Sequence, residues 1–257
     1  MIDIDLVNEV AVEAGKKILE IYHNALNVRI KDDNTPVTDA DFASNDIICN
    51  YLQKYYSNIQ IISEESNIAE YETRKDWEYY FCIDPLDGTK EFIKKSGQFA
   101  VNIALIKNSK PIAGVIYAPA LSISYFVGED NIVYRKLNSQ VKEKIITKQR
   151  EKDLVLIKSN SDNRQLSKYL DLPISKEIML GSSLKFCKIA EGEANVYLRF
   201  GTTMEWDTAA GQAIVEATGG SVIAADEDKH KLLYNKKSMI NPDFICLGGI
   251  AKKISFS

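Results

Sequence analysis

Asp84 and Asp87 stand around Pro85 in the stretch Cys82-Ile-Asp-Pro-Leu-Asp-Gly-Thr-Lys-Glu-Phe92. The apolar residues before them (Tyr79, Tyr80, Phe81, Ile83) read as a buried strand over 79–84. Gly88 and Thr89 then turn the chain into a segment that could open a helix. Carboxylates and a backbone carbonyl are ligands that Mg²⁺ prefers, and Mg²⁺ commonly leaves coordination positions to a substrate phosphate. Backbone N–H groups at a helix start favour an anion. The chemistry implied is that of phosphate with a hard cation. By itself the stretch is equally an ordinary turn, with Pro fixing φ and Gly taking the left-handed position.

Three other segments bring acids into similar settings. Ile61-Ile-Ser-Glu-Glu-Ser66 is a short apolar run ending in Glu64 and Glu65. Strand alternation there sends one glutamate toward a site and the other toward solvent. In Met204-Glu-Trp-Asp-Thr-Ala-Ala-Gly, Asp207 precedes a helix expected over 207–218, with Ala210, Ala213, Ile214 and Ala217 apolar. A lone aspartate in that place most simply caps the helix. Thr35-Pro-Val-Thr-Asp-Ala-Asp41 leads into a helix from about Phe42 to Tyr55, and either Asp39 or Asp41 could likewise be a cap.

Taken together, the segments SEES, DPLDGT and EWDTAAG resemble, in order and spacing, the magnesium-dependent, lithium-sensitive phosphatases of the inositol monophosphatase superfamily. DPLDGTKEF, VNIALI at 101–106, GVIYAPA at 114–120 and GSSLKFCKIAEGEANVYLRFG at 181–201 are similar to its bisphosphate nucleotidase branch. The resemblance implies hydrolysis of the 3′-phosphate of 3′-phosphoadenosine 5′-phosphate to AMP and phosphate, in sulfur assimilation or nucleotide recycling. It implies two or more Mg²⁺ ions per site. One would be held by Glu64, Asp84 and the carbonyl of Leu86, a second by Asp84, Asp87 and Asp207. Asp41 and Thr89, with Glu64, match the catalytic group that polarises the attacking water.

Substrate contacts implied by the same resemblance are Glu64, Leu86, Asp87, the turn at Gly88 and Thr89, and Asp207. For the second phosphate they are Ser182, Lys185 and Arg199, with Lys185 alternatively a solvated residue beside the apolar Leu184, Phe186 and Ile189. Lys31 lies in a loop that carries a lysine near the site in relatives. One departure stands out. Relatives read Ser-x-Ser-His where this chain reads Ser159-Asn-Ser-Asp162, which leaves the metal chemistry untouched and bears on nucleotide affinity. Two alternatives remain at this level, a sugar phosphatase of the inositol monophosphatase kind and a non-catalytic nucleotide-binding protein. Lys90-Glu91 and the GSSLKF segment argue against the first, and the intact acid set argues against the second.

Other chemistries lack their residues. His23 and His230 are the only histidines, and Cys49, Cys82, Cys187 and Cys246 form no zinc spacing. No Walker A or G-x-G-x-x-G sequence occurs. A net charge of −4 argues against a nucleic-acid surface. No apolar run approaches the ~18 residues of a membrane span. The acidic start Met1-Ile-Asp-Ile-Asp5 is unlike a signal peptide. The expected location is the cytoplasm, with peripheral association at the cytoplasmic face of the inner membrane and the oligomeric state both left open. The expected partner is a small-molecule nucleotide bisphosphate.

The elements that must position these groups follow from periodicity. Leu6, Val7, Val10, Ala11, Ala14, Ile18 and Ile21 repeat at helical spacing, giving a helix over 3–24. Strands are expected at 79–84, 99–107, 111–119, 122–127, 154–158, 195–199 and 221–224, and helices at 163–170, 182–191 and 207–218. The charged stretch Asn131–Asp153 reads as the border between two halves. Residues 1–140 would form an α+β half with most metal ligands, and 150–257 an α/β half with Asp207 and the substrate contacts. The family resemblance implies a layered α/β/α/β/α sandwich with the site between the halves.

Overall fold

The computed structural model describes residues 2–24, 27–32, 35–138, 140–147, 154–160, 162, 174–226 and 229–249. Its first half runs α1 (Ile4–Tyr22), β1 (Val28–Ile30), β2 (Pro36–Thr38), α2 (Asp39–Tyr55), β3 (Gln60–Ser63), α3 (Tyr71–Arg74), β4 (Tyr79–Asp87) and α4 (Thr89–Ile93). It continues through β5 (Ala100–Lys107), β6 (Lys110–Ala118), β7 (Ile123–Val127), β8 (Val133–Leu137) and β9 (Glu143–Lys144). β3 to β9 form a seven-stranded sheet in sequence order, antiparallel except for the parallel β3–β4 pair. The charged segment after Asn131 thus carries two further strands, whose alternating pattern is masked by exposed polar side chains.

The second half contains β10 (Leu154–Lys158), β11 (Ile174–Met179), α5 (Leu184–Ala190), β12 (Val196–Arg199), α6 (Glu205–Ala217), β13 (Ser221–Ala224) and β14 (Phe244–Leu247). These strands make a five-stranded sheet in the order β11-β10-β12-β14-β13. The helix expected over 163–170 lies outside the described residues.

Period-2 alternation assigns each strand's faces. On β4, Phe81 and Ile83 join Val10, Ala14, Ile18, Ile48 and Leu52 of α1 and α2 in one core. Tyr80 and Cys82 point the other way, into a core shared with α5, α6 and the inner face of the second sheet, including Val155, Tyr197 and Cys246. Among the described residues the layers are therefore helices, sheet, helices, sheet. Asp84 continues the Tyr80–Cys82 face, and so looks toward α6.

α6 lies against β4, β5 and β6. Gly114 on β6 permits this approach, because a Cβ there would stand 2.8 Å from the Ala210 carbonyl oxygen and 3.0 Å from its Cα. Backbone cannot yield as a side-chain tip can. Gly114→Ala should cost about 1–3 kcal/mol by overpacking, read as a Tm lowered by several degrees. Because α6 carries Asp207, activity should fall with it. An unchanged Tm would show that the helix has room to move.

Candidate active site

The DPLD segment is not a turn after a strand. β4 runs on to Asp87, with Asp84 opposite Asn102 and Asp87 opposite Ala100 on β5. Three steps on one strand against two on its neighbour make a β-bulge, which inserts a residue and re-aims side chains. Without it, residues at this odd spacing would point to opposite faces. Leu86 N donates to Asp84 Oδ1 at 3.0 Å and Ser44 Oγ to the Pro85 carbonyl at 2.7 Å, so the bulge is pinned from both sides. Gly88 follows with φ +89°, and its Cβ would meet the Gln98 carbonyl at 2.9 Å. Only glycine takes that conformation in that space without strain.

Carboxylate oxygens of Glu64, Asp84 and Asp207 all lie within 4.8 Å of one another. The parallel β3–β4 pair brings Glu64, at the end of β3, beside the bulge, while α6 carries Asp207 in from the other side. Asp207 is not the cap of α6. The helix begins at Glu205, and Asp207 in its first turn accepts Met204 N at 2.8 Å through Oδ2. Asp87 stands outside the three-carboxylate group, and its Oδ2 accepts Ser183 N.

Burial and crowding raise these acids. Asp84 is held well above the ordinary carboxylate range by burial, then by Glu64, Asp87 and Asp207. Asp207 is pushed up to about 8 by burial and the charge of Asp87, against the Met204 N–H. Burial also raises Glu64, against the pull of Lys31. Lys31 donates to Glu64 at 2.9 Å and to Glu65 at 2.6 Å. The two glutamates therefore converge on one ammonium. The expectation that one faces solvent fails because they lie in a turn after β3, where strand alternation has ended. A set of hard oxygen donors with more negative charge than neighbouring cations offset is what a divalent hard cation fits.

Asp41 makes a capping contact through one oxygen and a contact to Thr89 through the other. At the third position of α2 it accepts Thr38 N at 2.8 Å and Thr38 Oγ1 at 2.6 Å through Oδ2, closing a capping box. Its Oδ1 accepts Thr89 Oγ1 at 3.1 Å, and that hydroxyl also lies 3.2 Å from the Leu86 carbonyl. Burial raises the Asp41 carboxyl, and the Thr38 and Thr89 donors oppose that rise. Asp39 faces away and pairs with Arg29 at 2.9 Å.

Beside the carboxylates opens a cavity of about 240 Å³, lined among others by Asp87, Gly88, Ser182, Lys185, Arg199 and Asp207. Lys185 is buried rather than solvated. It donates to the carbonyls of Leu180 and Ser182 and stands 5.1 Å from the Tyr197 ring centroid. Burial lowers its ammonium to about 8, with Asp87 working against that. Arg199 Nη2 donates to the Thr202 carbonyl at 3.3 Å, and its buried Nε has no partner among the described residues. Ser159 and Asn160 also line the cavity, whereas Asp162 is buried and donates through its backbone N–H to Ser159 O at 3.0 Å.

Sequence reading passed over the residues that hold these groups. Thr38 orients Asp41. Glu205, fully buried, accepts Asn235 N at 2.7 Å and Lys236 Nζ at 2.7 Å, while Asn241 Nδ2 donates to Met204 O at 2.7 Å, fastening the start of α6. These contacts join residues some thirty or more apart in the chain, and composition carries no signal of them.

The profile of the inositol monophosphatase family matches residues 3–255. A protein of Buchnera aphidicola, named 3′(2′),5′-bisphosphate nucleotidase CysQ, is 46% identical over 222 residues, 85% of this chain and 83% of that protein. The protein of the same name from Escherichia coli K12 is 40% identical over 245 residues, 94% of this chain and 98% of its own length. The crystal structure of CysQ from Bacteroides thetaiotaomicron superposes with a TM-score of 0.81 at 34% identity, covering 95% of this chain and 96% of that one.

Proposed function

The chain belongs to the inositol monophosphatase family, a magnesium-dependent family, and from that membership we propose that it is a 3′(2′),5′-bisphosphate nucleotidase. It removes the 3′-phosphate of 3′-phosphoadenosine 5′-phosphate, giving AMP and phosphate. The observation that carries this reading is the junction of an acidic group fit for a hard cation with a cavity that holds a buried lysine and an arginine. One end suits a phosphate to be cut, the other a phosphate to be recognised.

In this reading Glu64, Asp84, the Leu86 carbonyl, Asp87 and Asp207 would hold the magnesium ions, two per site. Among the described residues no hydrogen bond falls on Asp87 Oδ1, while Oδ2 keeps Ser183. Bound magnesium supplies positive charge to the phosphoryl oxygens and acidifies water. The protein's own groups position the reaction. Asp41, fixed by Thr38, accepts the Thr89 hydroxyl, leaving the Thr89 oxygen lone pairs to accept a hydrogen bond from the attacking water. The backbone around Gly88 and Thr89 receives phosphate oxygens. Ser182, Lys185 and Arg199 hold the second phosphate, Arg199 through a planar fork and Lys185 as a point charge. Fixing the non-reacting phosphate orients the reacting one, which is where most catalysis of phosphoryl transfer lies.

Residues 1–140 and 150–257 act in this scheme as two halves, the first giving most metal ligands, the second Asp207 and the substrate contacts. We place the enzyme in the cytoplasm. Among the described residues no helix is long and apolar enough to cross a membrane.

Phosphate release with Mg²⁺ should favour 3′-phosphoadenosine 5′-phosphate over inositol 1-phosphate and fructose 1,6-bisphosphate by at least about a hundredfold in kcat/KM, since a buried charged contact left unpaired costs a few kcal/mol. Millimolar Li⁺ should inhibit it. Preference for either sugar phosphate would overturn the substrate while leaving the metal chemistry standing.

A further inference from the structure

Gln98 sits between α4 and β5, in the seven-stranded half, and reaches across to the other half. Its Oε1 accepts two hydrogen bonds, from Asn160 Nδ2 at 2.6 Å and from Gly181 N at 2.8 Å. Asn160 follows β10 and lines the cavity, and Gly181 precedes Ser182, which lines it next to Asn160 because β11 runs parallel beside β10. Ser182 has φ +53°, a conformation costly for a non-glycine residue, so the turn needs outside support. Three groups supply that support. Ser183 is tied to Asp87 and, through Oγ, to Asn102 Oδ1 at 2.7 Å, and Gly181 is tied to Gln98. The packing is close as well as polar. A Cβ on Gly181 would stand 3.0 Å from the Gln98 carbonyl oxygen and 3.1 Å from its Cβ.

We infer that Gln98 is a positioning residue for substrate selection, a clamp whose single amide oxygen fixes Asn160 and the Gly181–Ser182 turn relative to each other where they line the cavity. The inference rests on the nucleotidase reading for the identity of what fills that cavity. At the reacting end it is the backbone carbonyl of Gln98 that packs against Gly88. Side-chain truncation leaves that contact in place and removes the two hydrogen bonds to the recognition end. The amide nitrogen makes no hydrogen bond among the described residues, so the oxygen carries the role.

Gln98→Ala and Gln98→Glu separate the clamp from mere structure, because a glutamate keeps an acceptor oxygen at the same reach. KM and kcat are measured with Mg²⁺ on 3′-phosphoadenosine 5′-phosphate and on p-nitrophenyl phosphate, which has no second anion. Q98A should raise KM for the bisphosphate roughly tenfold, as expected for two lost hydrogen bonds, with kcat within about twofold and p-nitrophenyl phosphate hydrolysis unchanged. Q98E should stay within about threefold of the native KM. Equal loss on both substrates, no loss in Q98A, or a Q98E as impaired as Q98A would overturn the clamp. A native enzyme without preference for the bisphosphate would overturn the nucleotidase reading alone. The two variants are then compared on the best ester found, where a Q98A loss restored in Q98E upholds the clamp and the absence of any difference overturns it.

Discussion

Asp84→Asn should leave a folded protein that releases phosphate at least about a hundredfold more slowly than the native enzyme at saturating Mg²⁺. The scale is that of deleting one preorganised electrostatic contact to a transition state. Asp84 is 2% exposed and stands at the centre of the carboxylates, raised by Glu64, Asp87 and Asp207 together. Asparagine has the same shape, and its side-chain oxygen still accepts Leu86 N, so the bulge survives. What is lost is a unit of negative charge on which both proposed magnesium positions depend. The same change should raise the Tm measured in chelator, because an uncompensated buried carboxylate is replaced by a neutral amide. The variant thus separates two properties that fall together in most damaging substitutions. Turnover within threefold of native would remove Asp84 from the metal site. A fall in chelator Tm would mean that its charge is balanced by a contact other than those described.

Much of this site was legible because its polar residues sit at the ends of strongly patterned elements. The apolar run before Asp84 and the segment around Asp207 locate two of its walls, the helical stripe of α1 locates the layer behind the sheet, and wording shared with a known family supplies the proposed roles. What escaped was geometry that pattern cannot encode. Alternation misplaced Glu65, since the strand stops at Ser63 and the chain turns back to give both glutamates to Lys31. DPLDGT taken alone left a turn open, because proline and glycine signal one, whereas β5 continues to pair with Asp87 across a bulge. β14 was missed although it is fully buried, since a four-residue apolar run among Gly and Pro has no periodicity to read. Taken alone, Asp207 could be read as a cap, because a cap and a first-turn acid differ by a few residues and have the same local chemistry; only the companion segments made it a ligand candidate. Gln98 and Glu205 act through partners distant in sequence, which only the assembled sheets bring into contact, whereas Thr38 reaches Asp41 only three residues on, as a local capping pair.

The second large effect is an inversion of the pH dependence of stability by Mg²⁺. Asp207 is raised from 3.8 to about 8 in the folded protein. Between those values the native state holds a proton that the unfolded chain has released. Stability without metal therefore falls as pH rises through this window and levels off above it. Asp84, Glu64 and Asp41 are raised as well and add to the same slope. Each such group contributes at most about 1.4 kcal/mol per pH unit, or roughly 3 °C in Tm for a chain of this size. Lys185 acts oppositely, but its window opens only above about 8, where its folded value lies below the ordinary 10.5. Measurements between pH 5 and 7.5 therefore isolate the carboxylates. Mg²⁺ competes with those protons, so its affinity should grow with pH and its binding should release protons. Thermal melts in chelator should show Tm falling across the range, while melts in excess Mg²⁺ should be flat or rising, the gap widening toward neutrality. At a concentration a hundred times the dissociation constant the ion adds about 2.7 kcal/mol. Parallel curves with and without Mg²⁺ would show that the ion is held by groups other than these raised carboxylates. A chelator curve that rises with pH would mean that the acids are ionised and compensated in the folded protein before any metal arrives.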